Sequence, residues 1–473
     1  CALPISGSVF QMTAFAFINV FLLLVVTLNL VAGLPQVEQF HTIETSSLFL
    51  SRNCKSSPRV EENKAALEVV NAHGPCSSSG NWEQTLKDED LLNRDEARVA
   101  AMQSRQLTPL TDASVIPVKS GISLGTGNFV VRVGLGTPAK ELSLEFDTGS
   151  AFSWTQCQPC LSCYKQVDPI FDPSMSSTYS NVSCLSQPCA IIGSETGIPP
   201  KCSASTCVYG ILYGDDSLSV GYLAREKLTI SKNLPASDVF MGCAKISQGL
   251  FGMVSGLLGL GRSPLSVVTT TAQNFQRVFS YCLPSSSSDT GFLAFGELGT
   301  NVSARLQYTP ISSSFSPILY GVTIVSISVG GTILPIAPAV FSKPKGIIDS
   351  GTVISRLPPA AYSALRYAVK AGMKQYPLAP AVSILDTCFD ITGRKSIRYP
   401  PVSFTFEGGA VVELPFLGTF RPRLSNKFHI CLAFAANLSP NEVVIFGNTQ
   451  QRSLEVVYDV ARGRIGFASG GCS

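Results

Sequence analysis

Two short runs decide the fold: LeuGluPheAspThrGlySer at 144–150 and GlyIleIleAspSerGlyThr at 346–352. In each, apolar residues lead into an aspartate, followed by a hydroxyl residue, a glycine and a second hydroxyl residue. The apolar stub reads as the end of a buried strand and the Asp-Thr/Ser-Gly as the turn that leaves it. Working outward, both runs are preceded by β-branched stretches, AsnPheValValArgValGlyLeuGlyThrPro (128–138) and GlyValThrIleValSerIleSerValGlyGly (321–331). Both are followed about a hundred residues later by apolar residues and a glycine, LeuLeuGlyLeuGly (257–261) and IlePheGlyAsn (445–448). One Asp-Ser/Thr-Gly alone would be an ordinary turn. The recurrence of the whole series indicates an internal duplication, hence two similar lobes.

The rest of the chain beyond about residue 115 fits that reading. Short alternating runs broken by Gly and Pro predict a mostly antiparallel β protein. Helical windows are few: 360–373 is the clearest, and 92–105 has helical composition. The chain has 473 residues, 45% apolar and 14% charged, with 39 Gly and 30 Pro. That allows two or three compact units and excludes a disordered, collagenous or coiled-coil protein.

Histidine content narrows the chemistry. Of the three, His41 and His73 lie in the N-terminal region, which leaves His429. Serine triads and multi-histidine zinc sites need imidazole as base or ligand, so carboxylates are the expected reactive groups. Asp147 and Asp349, one from each lobe, are the candidates. Two carboxyl groups facing each other in one cleft cannot both ionise cheaply, so such a pair holds one proton between them. One then acts as base on a water that attacks a peptide carbonyl, and the other as acid toward the oxyanion and the leaving nitrogen.

The N-terminal region differs from the body. Ala14 to Ala32 is almost wholly apolar and is followed by Gly33 and Pro35, the pattern of a secretory h-region; an uncleaved anchor is the alternative. No Lys or Arg precedes Arg52, which argues against an Arg-rich organellar transit peptide. Residues 34–115 carry 8 basic and 12 acidic residues, and the remainder 27 and 20, so an acidic leader precedes a basic body. The expected division is a leader with signal peptide over 1–33, a propeptide over 34–115, an N-terminal β lobe over 116–310 and a C-terminal β lobe over 311–473.

Cys1, Cys54 and Cys76 lie upstream, and twelve further cysteines run from Cys157 to Cys472, an even set that predicts six disulfides and an oxidising compartment. Cys157, Cys160 and Cys163 have the spacing of a metal-ligand run but no histidine nearby, so disulfides are the expectation there and no metal. Asn181, Asn301 and Asn437 begin glycosylation tripeptides, and Pro440 weakens the last.

At these residues the chain resembles the pepsin-like aspartic proteases, in particular the atypical plant group of the nepenthesins and the chloroplast-nucleoid-type enzymes. The marks are HisGlyProCysSer (73–77), AspThrGlySerAlaPheSerTrpThrGlnCysGlnProCys (147–160), TyrGlyAspAspSer (213–217), SerTyrCysLeuPro (280–284), AspSerGlyThr (349–352) and TyrAspValAlaArgGlyArgIleGlyPheAla (458–468). Cys157 to Cys207 resembles the nepenthesin-type cysteine-rich insertion.

The resemblance implies a bilobal β fold with Asp147 and Asp349 in the cleft between lobes. It implies that Gly149 and Gly351 let backbone amides approach the carboxylates. Ser150 and Thr352 would hydrogen-bond the outer carboxylate oxygens, and Thr148 and Ser350 would cross-link the two loops. Tyr213 would be the tyrosine of a flap over substrate, braced by Trp154. Asp216 stands where the group usually has glycine, and Ala151 where a polar residue is common, which bears on flap geometry and subsites.

The family further implies a polypeptide substrate, a leader that inhibits until removed, no cofactor, a monomer, and an extracellular or vacuolar location, with the chloroplast as alternative. Two other functions compete. A non-catalytic inhibitor or binding protein on this scaffold would lack catalytic residues that are present here. Specific nucleic-acid binding would need clustered positive charge, whereas ArgLysSerIleArg (394–398) and ArgProArg (421–423) are the densest groups.

Overall fold

A computed structural model describes residues 39–48, 54–57, 65–71, 74–77, 87–106 and 129–471, apart from 214–216, 232–233, 250, 287, 297–304, 313–315 and 343–345. The apolar segment 14–32, His73, the boundary near 115, Asp216, Asn301 and Cys472 lie outside the described residues.

The first half is built from a hairpin that dives inward. Phe129–Leu135 pairs antiparallel with Lys140–Asp147, whose residues are exposed at Lys140 and Glu141 and buried from Leu142 onward. That gradient carries Asp147 to the bottom of the interior. Gly256–Gly259 lies parallel to this strand with Gly259 opposite Asp147, and antiparallel to Trp154–Gln156. The chain thus leaves one strand, turns at the aspartate, and returns on the far side of a third strand inserted between.

The second half repeats this arrangement. Gly346–Ile348 pairs in parallel with Val444–Phe446, which is antiparallel to Ser355–Leu357 at Arg356 and Ile445. The mostly β, two-lobed class read from the duplicated motif is the class observed. Helix Pro359–Gly372 buries Ala361, Tyr362, Leu365, Ala368 and Val369, one face at helical spacing, and starts with proline, whose missing N–H costs nothing there.

The lobes share a framework. C-terminal strands Leu454–Asp459 and Arg464–Ser469 join the long sheet beside Val278–Cys282, so pairing is continuous across residue 310. Behind the aspartates lies an aromatic cluster in which Phe279 stacks on Tyr458 at 4.5 Å and Tyr320 meets Tyr458 edge-on at 4.4 Å.

The N-terminal segment is woven into the rest of the chain. His41–Glu44 pairs with Ser396–Tyr399, and Ala66–Asn71 is inserted between Gly291–Phe295 and Phe129–Leu135. Helix Asp88–Gln106 then crosses the second half. Leu91 and Leu92 pack with Val353, Ile354, Val382 and Leu385, and Val99 with Ile347, Val443 and Ile445.

Disulfides join Cys157 to Cys243, Cys160 to Cys163, Cys184 to Cys202, Cys189 to Cys207 and Cys388 to Cys431; Cys282 is also disulfide-bonded. Cys54 and Cys76 of the leader are bonded to each other. Among the glycosylation candidates, Asn181 is exposed. Asn437 is a correction: it is 5% exposed and its amide nitrogen donates to the carbonyls of Glu442 and Val443, so it is spent inside the fold.

Candidate active site

Each aspartate is fixed at its backbone by the strand inserted beside it. Leu260 N donates to Asp147 O at 2.8 Å, and Asp349 N donates to Phe446 O at 3.1 Å. The turns then fold back on their own carboxylates: Gly149 N donates to Asp147 Oδ1 and Gly351 N to Asp349 Oδ1, both at 2.9 Å. Glycine is needed because the loops meet. A Cβ on Gly149 would collide with Asp349 Oδ1, and one on Gly351 with Asp147 Oδ1 and Arg98.

The two turns are tied to each other across the lobes. Thr148 N donates to Ser350 Oγ at 3.0 Å, and Ser350 N donates to Thr148 Oγ1 at 2.9 Å. This reciprocal pair fixes the spacing of the aspartates, which are both fully buried. Thr352 Oγ1 donates to Asp349 Oδ2 at 2.5 Å.

Ser150 differs from the expectation. No hydrogen bond joins it to Asp147, whose Oδ2 has no hydrogen-bond partner among the described residues. The bonds Asp147 accepts, from Gly149 N and from Arg98 Nη2, both fall on Oδ1 and set the carboxylate's rotation. Ser150 acts through its backbone, accepting from Gly261 N at 2.8 Å.

Arg98, from helix Asp88–Gln106, is the residue the sequence reading missed. Its Nη2 donates to Asp147 Oδ1 at 2.9 Å and Asp349 Oδ1 at 3.0 Å, and its Nε to Asp349 Oδ2 and Thr352 Oγ1, each at 3.2 Å. Both carboxylates therefore meet at one guanidinium nitrogen. A signal existed: a segment packed over two buried acids needs a cation, and helical stretch 92–105 contains Arg94, Arg98 and Arg105.

The electrostatics follow from burial. Desolvation pushes Asp147 up to about 6; Arg98 opposes this and Asp349 adds to it. Burial also works against the charge on Arg98, but the two carboxylates outweigh it and hold its pKa above the ordinary arginine value. As pH falls, Asp147 therefore takes up a proton while Arg98 keeps its charge.

The helix is pinned by further polar contacts. Asp95 accepts from Val353 N at 2.6 Å and Ile354 N at 3.2 Å, and its Oδ2 lies 3.1 Å from Arg356 Nη2. Asp88 accepts from Leu424 N, and Gln103 exchanges two hydrogen bonds with the Val443 backbone. Burial raises the pKa of Asp95 despite Arg356 and the two N–H groups.

On the other wall, Trp154 Nε1 donates to Tyr213 Oη at 2.7 Å, both side chains buried. Phe251 meets Trp154 edge-on at 5.0 Å and Tyr213 at 5.6 Å. Tyr213 N also donates to Ser217 O, closing the hairpin base. His429 lies on strand His429–Leu432, 4.0 Å from Asp390.

Known proteins match this chain in sequence. Residues 129–297 match the family model described as xylanase inhibitor N-terminal, and residues 319–469 the one described as xylanase inhibitor C-terminal. An aspartyl protease family protein of Arabidopsis thaliana is 49% identical over 471 residues, 96% of this chain and 98% of its own length. The chain belongs to the atypical plant pepsin-like aspartic proteases. Aspartyl protease AED1 of the same plant is 46% identical over 91% of this chain and 92% of its own. Aspartic proteinase nepenthesin-1 of Nepenthes gracilis is 36% identical over 75% and 80%. The protease is thus a hydrolase whose substrates are polypeptides, although the two family models carry the name of an inhibitor.

Proposed function

We propose that this chain is the closed precursor of an aspartic endopeptidase in which Asp147 and Asp349 activate the attacking water. The observation that carries the reading is the single nitrogen of Arg98 shared by the two carboxylates. It occupies the place where the water and the scissile carbonyl would sit, and its charge removes the need for a shared proton. With helix Asp88–Gln106 withdrawn, the carboxyls face each other alone, and one proton on the pair leaves one base and one acid. The base takes a proton from water as it attacks the carbonyl. The acid donates to the oxyanion and then to the leaving nitrogen, and no acyl-enzyme forms. Tyr213, held by Trp154, is the flap residue that shields this step.

The disulfides support folding in an oxidising compartment and hence a secretory route to the cell exterior or vacuole. No described helix is long and apolar enough to cross a membrane. Acidification reduces the dyad's charge first, because Asp147 takes a proton near 6 and Arg98 then faces one carboxylate charge in place of two. Asp95 acts oppositely: docking raises its pKa, so it binds its proton more tightly in the docked helix and favours docking as pH falls. Opening is therefore expected well below pH 6.

The test is incubation of purified precursor from pH 3 to 7, followed for a shortened form and for digestion of a denatured protein with and without pepstatin. Shortening confined to the acid end, pepstatin-sensitive digestion, and background activity for Asp147→Asn are expected. Undiminished digestion by Asp147→Asn would overturn the assignment.

A further inference from the structure

The leader helix also reveals what the open cleft would recognise. Asp95 precedes Arg98 by three residues, so the two side chains share a face of the helix, separated by about 4.5 Å along its axis. In an extended chain, at roughly 3.3 Å per residue, that is a separation of one to two residues. Where Arg98 meets the dyad, Asp95 enters a site of donors: Val353 N, Ile354 N and the Nη2 of Arg356. Arg356 also meets Glu96 at 2.9 Å, and Arg421 attracts Asp95 from further along the same lobe.

These donors remain when the helix leaves. Arg356 sits on strand Ser355–Leu357, paired on both sides, and its Nη1 donates to Ile354 O at 2.8 Å, which fixes the guanidinium. Its side chain is 2% exposed in the precursor, and the carboxylates that meet it both come from the helix. A guanidinium held in a walled site beside two N–H groups attracts a carboxylate, and opening of the cleft to water relieves the burial that raises the pKa of Asp95 under the docked helix.

We infer that Arg356, with the Val353 and Ile354 amides, forms a substrate subsite for an acidic side chain one or two residues from the scissile bond, which Asp95 occupies in the precursor. This rests on the protease reading and on departure of the helix, and its test separates the two. The mature form is given matched peptides with Asp or Asn at each of the two positions on either side of the cleaved bond, at about pH 5, where a free Asp is ionised. At one position Asp should raise kcat/KM about tenfold over Asn, the scale of a hydrogen bond to a charged group. Arg356→Gln should bring that ratio near one, and Arg356→Lys should restore part of it. Equal cleavage of Asp and Asn peptides at every position by the unmodified enzyme overturns the subsite while leaving the protease reading intact. Should neither peptide be cleaved, the protease reading falls and the subsite with it. If Arg356→Gln does not fold, the profile of the unmodified enzyme decides.

Discussion

At the residue scale, the chain is organised around one buried cation facing two buried anions. Arg98, Asp147 and Asp349 are all fully inaccessible, so none can exchange its partner for water. Removing one member of such a set costs about 3–5 kcal/mol, because the remaining charges are left uncompensated. Arg98→Gln is therefore expected to lower the protein's thermal midpoint and to undock the helix. Limited proteolysis would read this as cleavage within 88–106 at neutral pH, where the unmodified chain is expected to resist. An Arg98→Gln precursor as resistant as the parent would mean that Asp88, Asp95 and Gln103 hold the helix by themselves.

At the element scale, the N-terminal segment is a structural part of the sheet. Strand Ala66–Asn71 supplies partners on both sides, with Val69 opposite Gly291 and Val131. A chain lacking residues 39–71 leaves those neighbours with open edges. Hydrogen exchange should then quicken at Phe292–Ala294 and Val130–Val131; unchanged protection would show that another segment takes the slot.

The cysteine-rich insert carries its own electrostatic load. Helix Gln187–Thr196 is tied by Cys189 to Cys207 and buries Glu195, whose pKa burial pushes up to about 8. The ordinary glutamate value is 4.5, so the folded form binds this proton more tightly than the unfolded chain. Stability from this group is present at acid pH and lost as pH rises from 4.5 toward 8. Glu195→Gln should stabilise the protein at pH 8 by on the order of a few kcal/mol and change little at pH 4. Thermal melts of both forms across that range would check it, and parallel curves would contradict it.

For the whole molecule, Asp147 adds to the same trend. Its folded value of about 6 stands above the ordinary 3.8, so its contribution also falls as pH rises through that window. The protein is expected to melt higher at pH 5 than at pH 8, with part of the difference absent in Asp147→Asn. A melting temperature that rises toward pH 8 would show that other carboxylates dominate.

The sequence by itself determined the local chemistry and its duplication. Asp-Thr-Gly and Asp-Ser-Gly, their apolar approaches, and the glycines at 259 and 447 are short-range patterns, and the strand pairings beside Asp147 and Asp349 follow them. Helices 92–105 and 360–373 were legible for the same reason, since helical composition and periodicity are properties of adjacent residues. Only the tertiary structure decided which N-terminal side chain meets the two aspartates, how Ser150 is used, and what faces Arg356. Arg98 lies 49 residues from Asp147 and 251 from Asp349 along the chain. Nothing in its neighbourhood distinguishes it from Arg94 or Arg105 until the helix is docked, because burial and the field of two carboxylates exist only once distant segments share one interior.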